Sequence, residues 1–131
     1  MPLLFGSPKQ TPASVLASLS LPTSSRPHFL IFMASYEERG RPWCRDCEAA
    51  EGPIMALIPG SESSIVFVGD RETWNDPENP WRRAPFNVTK IPTILKLSGD
   101  SQNVSEKVAN ATRIVEADIL EGSKLRAFVH Q

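Results

Sequence analysis

Arg41-Pro42-Trp43-Cys44-Arg45-Asp46-Cys47 contains both cysteines of a 131-residue chain, three positions apart. An apolar run, Phe29-Leu30-Ile31-Phe32-Met33-Ala34, comes shortly before it. A run of strand length with no polar position fits a central strand covered on both faces. After Cys47 the apolar residues Ala50, Ile54, Leu57 and Ile58 fall on one helical face. Gly52-Pro53 predicts a bend inside that helix and Pro59-Gly60 its end. Ile65-Val66-Phe67-Val68 reads as a second buried strand. The two thiols therefore sit at the strand-to-helix junction of a strand–helix–strand unit.

That position has chemical consequences. Unpaired backbone N–H groups and the positive end of the helix macrodipole stabilise an anion at a helix start. A thiol there has its pKa pulled below the ordinary value of about 8.5. Arg45 adds a neighbouring cation, while Asp46 opposes it. Cys47, one turn further in, is expected to be more buried and less acidic. The asymmetry suits a two-step exchange in which Cys44 attacks a disulfide and Cys47 resolves the mixed disulfide. Two other readings compete. Inert core cysteines are disfavoured by the polar Arg45-Asp46 pair between them. Half of a zinc site would need His28 and His130, whose spacing is unlike that of structural zinc sites. Redox use is favoured, with no metal.

Outward from this centre, Pro2 to Phe5 reads as a short edge strand. Thr11-Pro12 is an N-cap followed by proline at the first helical position, opening a helix up to Ser20 with Val15, Leu16 and Leu19 on one face. Thr23 to Pro27 is a loop. On the other side, Gly69 to Trp81 is charged and proline-rich, and reads as an ordered surface loop anchored by Trp74 and Trp81, with a short helix from Trp81 to Phe86. Ile91-Pro92-Thr93-Ile94-Leu95-Lys96-Leu97 is a strand that opens with proline. Ser98-Gly99-Asp100 is a turn, and Arg113-Ile114-Val115 is the centre of the returning strand. The stretch from Ser101 to Ala111 has no clear pattern. A last helix, capped by Asp118, buries Leu125, Phe128 and Val129. The whole is one α/β domain over residues 1–131, with a mixed sheet and helices on both faces.

Fourteen basic against fifteen acidic residues give a net charge of −1, so no global field draws the chain to nucleic acid or to a membrane surface. No run approaches the roughly 18 apolar residues of a membrane span. Three glycosylation-type triplets, Asn87-Val-Thr89, Asn103-Val-Ser105 and Asn110-Ala-Thr112, count for little without an entry signal. The cytosol is the expected location. The Ser-rich N-terminal segment, with Lys9 and Arg26 and no acid before Glu37, leaves organelle targeting as the alternative.

Trp-Cys-x-x-Cys between a buried strand and a bent helix, with Pro92-Thr93 opening a later strand, resembles the thioredoxin fold. Three stretches taken together, Trp43 to Cys47, Val68 to Pro77 and Val88 to Thr93, resemble the 14-kDa thioredoxin-related (thioredoxin domain-containing protein 17-like) family. The resemblance implies a cytosolic disulfide reductase with no bound cofactor, re-reduced by NADPH through thioredoxin reductase as its partner. It implies small disulfide substrates such as cystine, with protein disulfides as a further class, and the chain is expected to be a monomer. By the same match Cys44 is the nucleophile, Cys47 the resolving thiol and Pro92 a cis proline. Trp43, Arg45 and Asp46 surround the thiols, and the Ile91 peptide group would hydrogen-bond an extended substrate. The chain departs from the family where Arg45 replaces a proline. It also lacks a carboxylate between Phe29 and Ala34, leaving Asp46, Glu37 or Glu38 to assist Cys47. The competing function is a non-catalytic adaptor or redox sensor that binds partners through the loop from Trp74 to Trp81.

Overall fold

The computed structural model describes residues 11–19, 28–37, 40, 42–97 and 103–130. The expectations for residues 2–5, 20–27 and 98–102, and for Glu38, lie outside the described residues.

The apolar run from Phe29 forms β1 (His28–Met33) at the middle of a four-stranded sheet of order β2-β1-β3-β4. β2 (Ser63–Phe67) runs parallel to it, pairing Ile31 with Ile65. β3 (Thr93–Leu97) runs antiparallel on its other side, pairing Ile31 with Ile94. β4 (Thr112–Val115) is antiparallel to β3 and closes the sheet's far edge. Successive strand side chains leave opposite faces, and both faces of β1 are covered. Phe29 packs on Phe128 of the last helix, with ring centroids 6.3 Å apart. Phe32, on the opposite face, meets Trp81 at 5.8 Å and Phe86 at 5.9 Å. This is the mixed, doubly covered sheet that the patterning predicts.

Helix α1 (Pro12–Leu19) starts as expected. The Thr11 hydroxyl accepts from the Ser14 amide at 3.1 Å, and Ser14 Oγ accepts from the Thr11 amide at 3.0 Å. These reciprocal bonds satisfy two donors at the helix start. Helix α2 (Arg45–Leu57) begins immediately after Cys44, which is its N-cap, and buries Cys47, Ala50 and Ile54 on one face. Pro53 lies inside it, removing one helical N–H donor.

Three segments differ from the sequence expectation. The stretch after Gly69 contains helix α3 (Arg71–Asn75), capped by Asp70, and a single 3-10 turn over Pro80–Arg82 in place of a helix to Phe86. Residues 104–109 form helix α4 (Val104–Ala109), capped by the Asn103 side chain on the Glu106 amide at 3.0 Å. The patternless stretch before β4 is thus partly helical. The C-terminal helix is two helices, α5 (Ala117–Leu120) and α6 (Gly122–His130), with Asp118 in the first turn of α5 and not at a cap. Glycine at position 122 is a poor helix former, which favours the break there. α6 nevertheless buries Leu125 and lays Phe128 and Val129 against the core. Lys96 of β3 donates Nζ to the carbonyls of Phe128 and Val129 at 3.1 and 3.3 Å, placing a cation at the end of α6 where the dipole favours it.

α2 packs against α5 and α6, and α1 against α4. No helix among the described residues is long and apolar enough to cross a membrane.

Candidate active site

The end of β1 delivers the chain to the cysteines through a tethered loop. Tyr36 pairs with Pro42 in an isolated antiparallel bridge, its hydroxyl donates to Glu51 of α2, and its ring meets Phe67 edge-on at 5.8 Å. Burial and the Glu51 carboxylate hold the Tyr36 hydroxyl well above the usual tyrosine range. Trp43 then anchors the cysteine turn to the segment that follows β2: its indole Nε1 donates to the Gly69 carbonyl at 2.8 Å. Gly69 is required at that point, because its φ is +109° and an added Cβ would stand 2.7 Å from Thr73 Cγ2.

Cys44 is half-buried at the mouth of α2, and its Sγ accepts the Cys47 amide N–H at 3.3 Å. Its pKa is lowered to about 7. A hydrogen bond from the Cys47 thiol is the leading cause, and the amides of Cys47 and Asp46 add to it; partial burial and the Asp46 charge act the other way. Arg45 is exposed, and the lowering comes from hydrogen bonds rather than from its charge. Cys47 is fully buried, and its Sγ accepts from the Ala34 amide at 3.4 Å. Its hydrogen bond to Cys44 and its burial push its own thiol pKa well up. As free thiols the two cysteines are chemically unlike, one acidic and half-buried, one neutral and enclosed.

The third wall comes from the entry to β3. The Ile91–Pro92 peptide bond is cis, and the Ile91 carbonyl stands 4.0 Å from Cys44 Sγ. Pro92 in turn accepts the Glu116 amide at 2.8 Å, tying this wall to the turn after β4. Cys44, Trp43, Arg45, Asp46 and Ile91 all line one open pocket of about 540 Å³. Of the two described acids expected to assist Cys47, Asp46 and Glu37, Asp46 is the one whose charge acts on both thiols. Glu37 is exposed and does not act on either.

Trp74 and Trp81 are both buried, so their rings hold the intervening segment in place. Asn79, which sequence reasoning did not single out, is the reason that segment is ordered. Its Nδ2 donates to the carbonyls of Val68 and Thr73, each at 3.0 Å, and its Oδ1 accepts the Trp81 amide at 3.0 Å. Asn followed by Pro80 is a helix-start signal that could have found it. Arg71, Arg82 and Glu116 also line the pocket without having been assigned a role. Glu116 holds φ at +45°, a conformation that disfavours an L side chain.

His28 Nε2 is engaged with Ser64 Oγ at 2.8 Å at the sheet margin, and His130 ends α6. Among the described residues no group of three or more His, Cys, Asp or Glu side chains could hold a metal ion.

A Cys-x-x-Cys pair at the start of a helix, between a central β-strand and a cis proline, defines a thioredoxin-type domain with a redox-capable dithiol. The comparisons with known proteins agree with this class. The family model described as thioredoxin domain-containing protein 17-like, thioredoxin domain, matches residues 13–121. The chain belongs to that family. It is 34% identical over 98 residues to the thioredoxin-like protein Clot of Oryza sativa subsp. japonica, covering 60% of this chain and 70% of that protein. To thioredoxin domain-containing protein 17 of Mus musculus it is 34% identical over 92 residues, covering 67% of this chain and 73% of that protein. The Homo sapiens protein of the same name is 33% identical over the same length, with the same shares.

Proposed function

We propose that the protein is a disulfide reductase working by thiol–disulfide exchange at Cys44 and Cys47. The observation that carries the proposal is the asymmetry of the pair: Cys44 at the helix mouth with a pKa of about 7, Cys47 buried behind it with its proton held. Near neutral pH a large share of Cys44 is thiolate, the nucleophilic form. It attacks one sulfur of the substrate disulfide along the S–S axis, and the other sulfur leaves as a thiolate that takes up a proton. Cys47 then loses its proton and attacks Cys44 Sγ, forming the intramolecular disulfide and releasing the second substrate thiol. Two electrons pass from the dithiol to the substrate, and one disulfide replaces another. Among the described carboxylates Asp46 is the one whose charge acts on Cys47, and it would take the Cys47 proton.

The reading extends to what the sequence resemblance implies: electrons from NADPH by way of thioredoxin reductase, no resident cofactor, small disulfides such as cystine among the substrates, and a cytosolic monomer. The Ile91 peptide group, beside Cys44, would align the substrate. The adaptor alternative draws no support from the loop tryptophans, which face inward. The test is NADPH consumption with thioredoxin reductase and cystine. Turnover that disappears in Cys44→Ser is expected. Absence of turnover in the native protein, or full turnover in Cys44→Ser, overturns the proposal.

A further inference from the structure

Trp43 and Trp74 each carry an arginine on the ring face, and both arginines line the pocket into which Cys44 opens. The Arg71 guanidinium stands 4.8 Å from the Trp43 ring centre and donates to the Trp43 carbonyl at 3.2 Å. Arg82 lies 3.9 Å over Trp74, with Nε donating to the Trp74 carbonyl at 2.8 Å. Stacking and a backbone bond tether each side chain, Arg71 exposed and Arg82 half-buried, yet use only one of a guanidinium's five N–H donors. Among the described residues neither arginine has a carboxylate partner. Lys90 on the same wall differs, since Glu116 answers it at 3.5 Å. The charged lining that remains is Arg45, Arg71 and Arg82 against Asp46, a positive wall on a protein whose net charge is −1.

A planar guanidinium held on an aromatic face, with its other edge toward an open pocket, matches the two-oxygen geometry of a carboxylate. We propose that Arg71 and Arg82 form a carboxylate-binding subsite beside Cys44 that selects disulfides carrying an anionic group close to the sulfur. The proposal rests on the reductase reading and names the substrate class of that same site. The clamp fixes the carboxylate and thereby holds the adjoining S–S bond against Cys44 Sγ. A disulfide bearing ammonium groups meets the same two cations as repulsion, so selection has an attractive and a repulsive part.

Three small disulfides of similar size separate the possibilities: dithiodiglycolate (two carboxylates), hydroxyethyl disulfide (neutral) and cystamine (two ammonium groups). The pre-reduced protein is mixed with each, and the second-order rate constant is read from tryptophan fluorescence, so no reductase partner is involved. Rate constants for the charged disulfides are divided by that for the neutral one, which cancels any general change in Cys44 reactivity. In the double variant Arg71→Gln/Arg82→Gln the normalised rate with dithiodiglycolate should fall about tenfold while that with cystamine rises. Arg71→Lys/Arg82→Lys, which keeps the charge and loses the fork, should fall between. Unaltered normalised ratios in the Gln variant overturn the subsite. If that variant does not fold, added salt replaces it: with the native protein, the dithiodiglycolate rate must fall and the cystamine rate rise, and parallel slopes overturn the subsite. Failure of the reductase reading looks different, because the native protein would then react with all three no faster than a small free thiol of the same pKa.

Discussion

Cys44 and Cys47 are the same residue type three positions apart, and what separates them is the number of N–H and S–H groups aimed at each. Cys44 takes its stabilisation from the helix mouth and from the Cys47 thiol; Cys47 has one amide, from Ala34, set against complete burial. The sign of the pH dependence follows. A thiol with its pKa lowered in the folded state favours folding once the unfolded thiol would also ionise, and loses that contribution as pH falls through about 7. Cys47, shifted upward, acts oppositely: its contribution is present while the thiol is protonated and declines in alkali. Alkylation of Cys44 by iodoacetamide should therefore rise across neutrality with a midpoint near 7 and level off above it, with Cys47 unmodified. A midpoint near the ordinary cysteine value would contradict the hydrogen-bond account. Arg45 is instructive at this scale, since adjacency in sequence suggests that its charge lowers the Cys44 pKa. Its exposed side chain spends that charge in water instead.

At the scale of elements, the parts legible in the sequence were those with a long or singular signal. The β1 run is apolar at every position from Phe29 to Ala34, and Pro92 marks the start of a strand beside the site. Less legible were α3, α4 and the break between α5 and α6, because helices of four to six residues are too short to show a 3.6-residue period. Their signals are single capping residues, Asp70 and Asn103, each followed by a residue whose amide needs an acceptor. Asn79 does the same for the turn at Pro80, and its side chain also joins the end of β2 to α3. Asn79→Ala should leave the Val68 carbonyl and the Trp81 amide without a partner in a buried place, while the Thr73 carbonyl keeps the Asp76 amide at 3.3 Å. The expected loss is about 3 kcal/mol of unfolding free energy, measured by urea denaturation. A loss under about 0.5 kcal/mol would mean that water replaces the side chain without cost.

For the whole molecule, a mixed sheet with both faces covered follows from a central strand that is apolar and buried at every position from Phe29 onward. The pocket's electrostatic character was not legible, because Arg71, Arg82 and Glu116 are distant in sequence from Cys44 and meet it only when the sheet is assembled. The family match ends at residue 121, yet α6 beyond it is part of the core through Leu125, which is fully buried. Leu125→Ala should cost about 3 kcal/mol and lower the melting temperature by roughly 10 °C. A shift within about 2 °C would show that α6 is dispensable.

The central claim is a division of labour between the two thiols, and trapping tests it most directly. Cys47→Ser mixed with cystine should gain the mass of one half-cystine as a stable mixed disulfide on Cys44, while Cys44→Ser should gain none. Accumulation on Cys47 in the Cys44→Ser variant would reverse the roles assigned here and contradict the account.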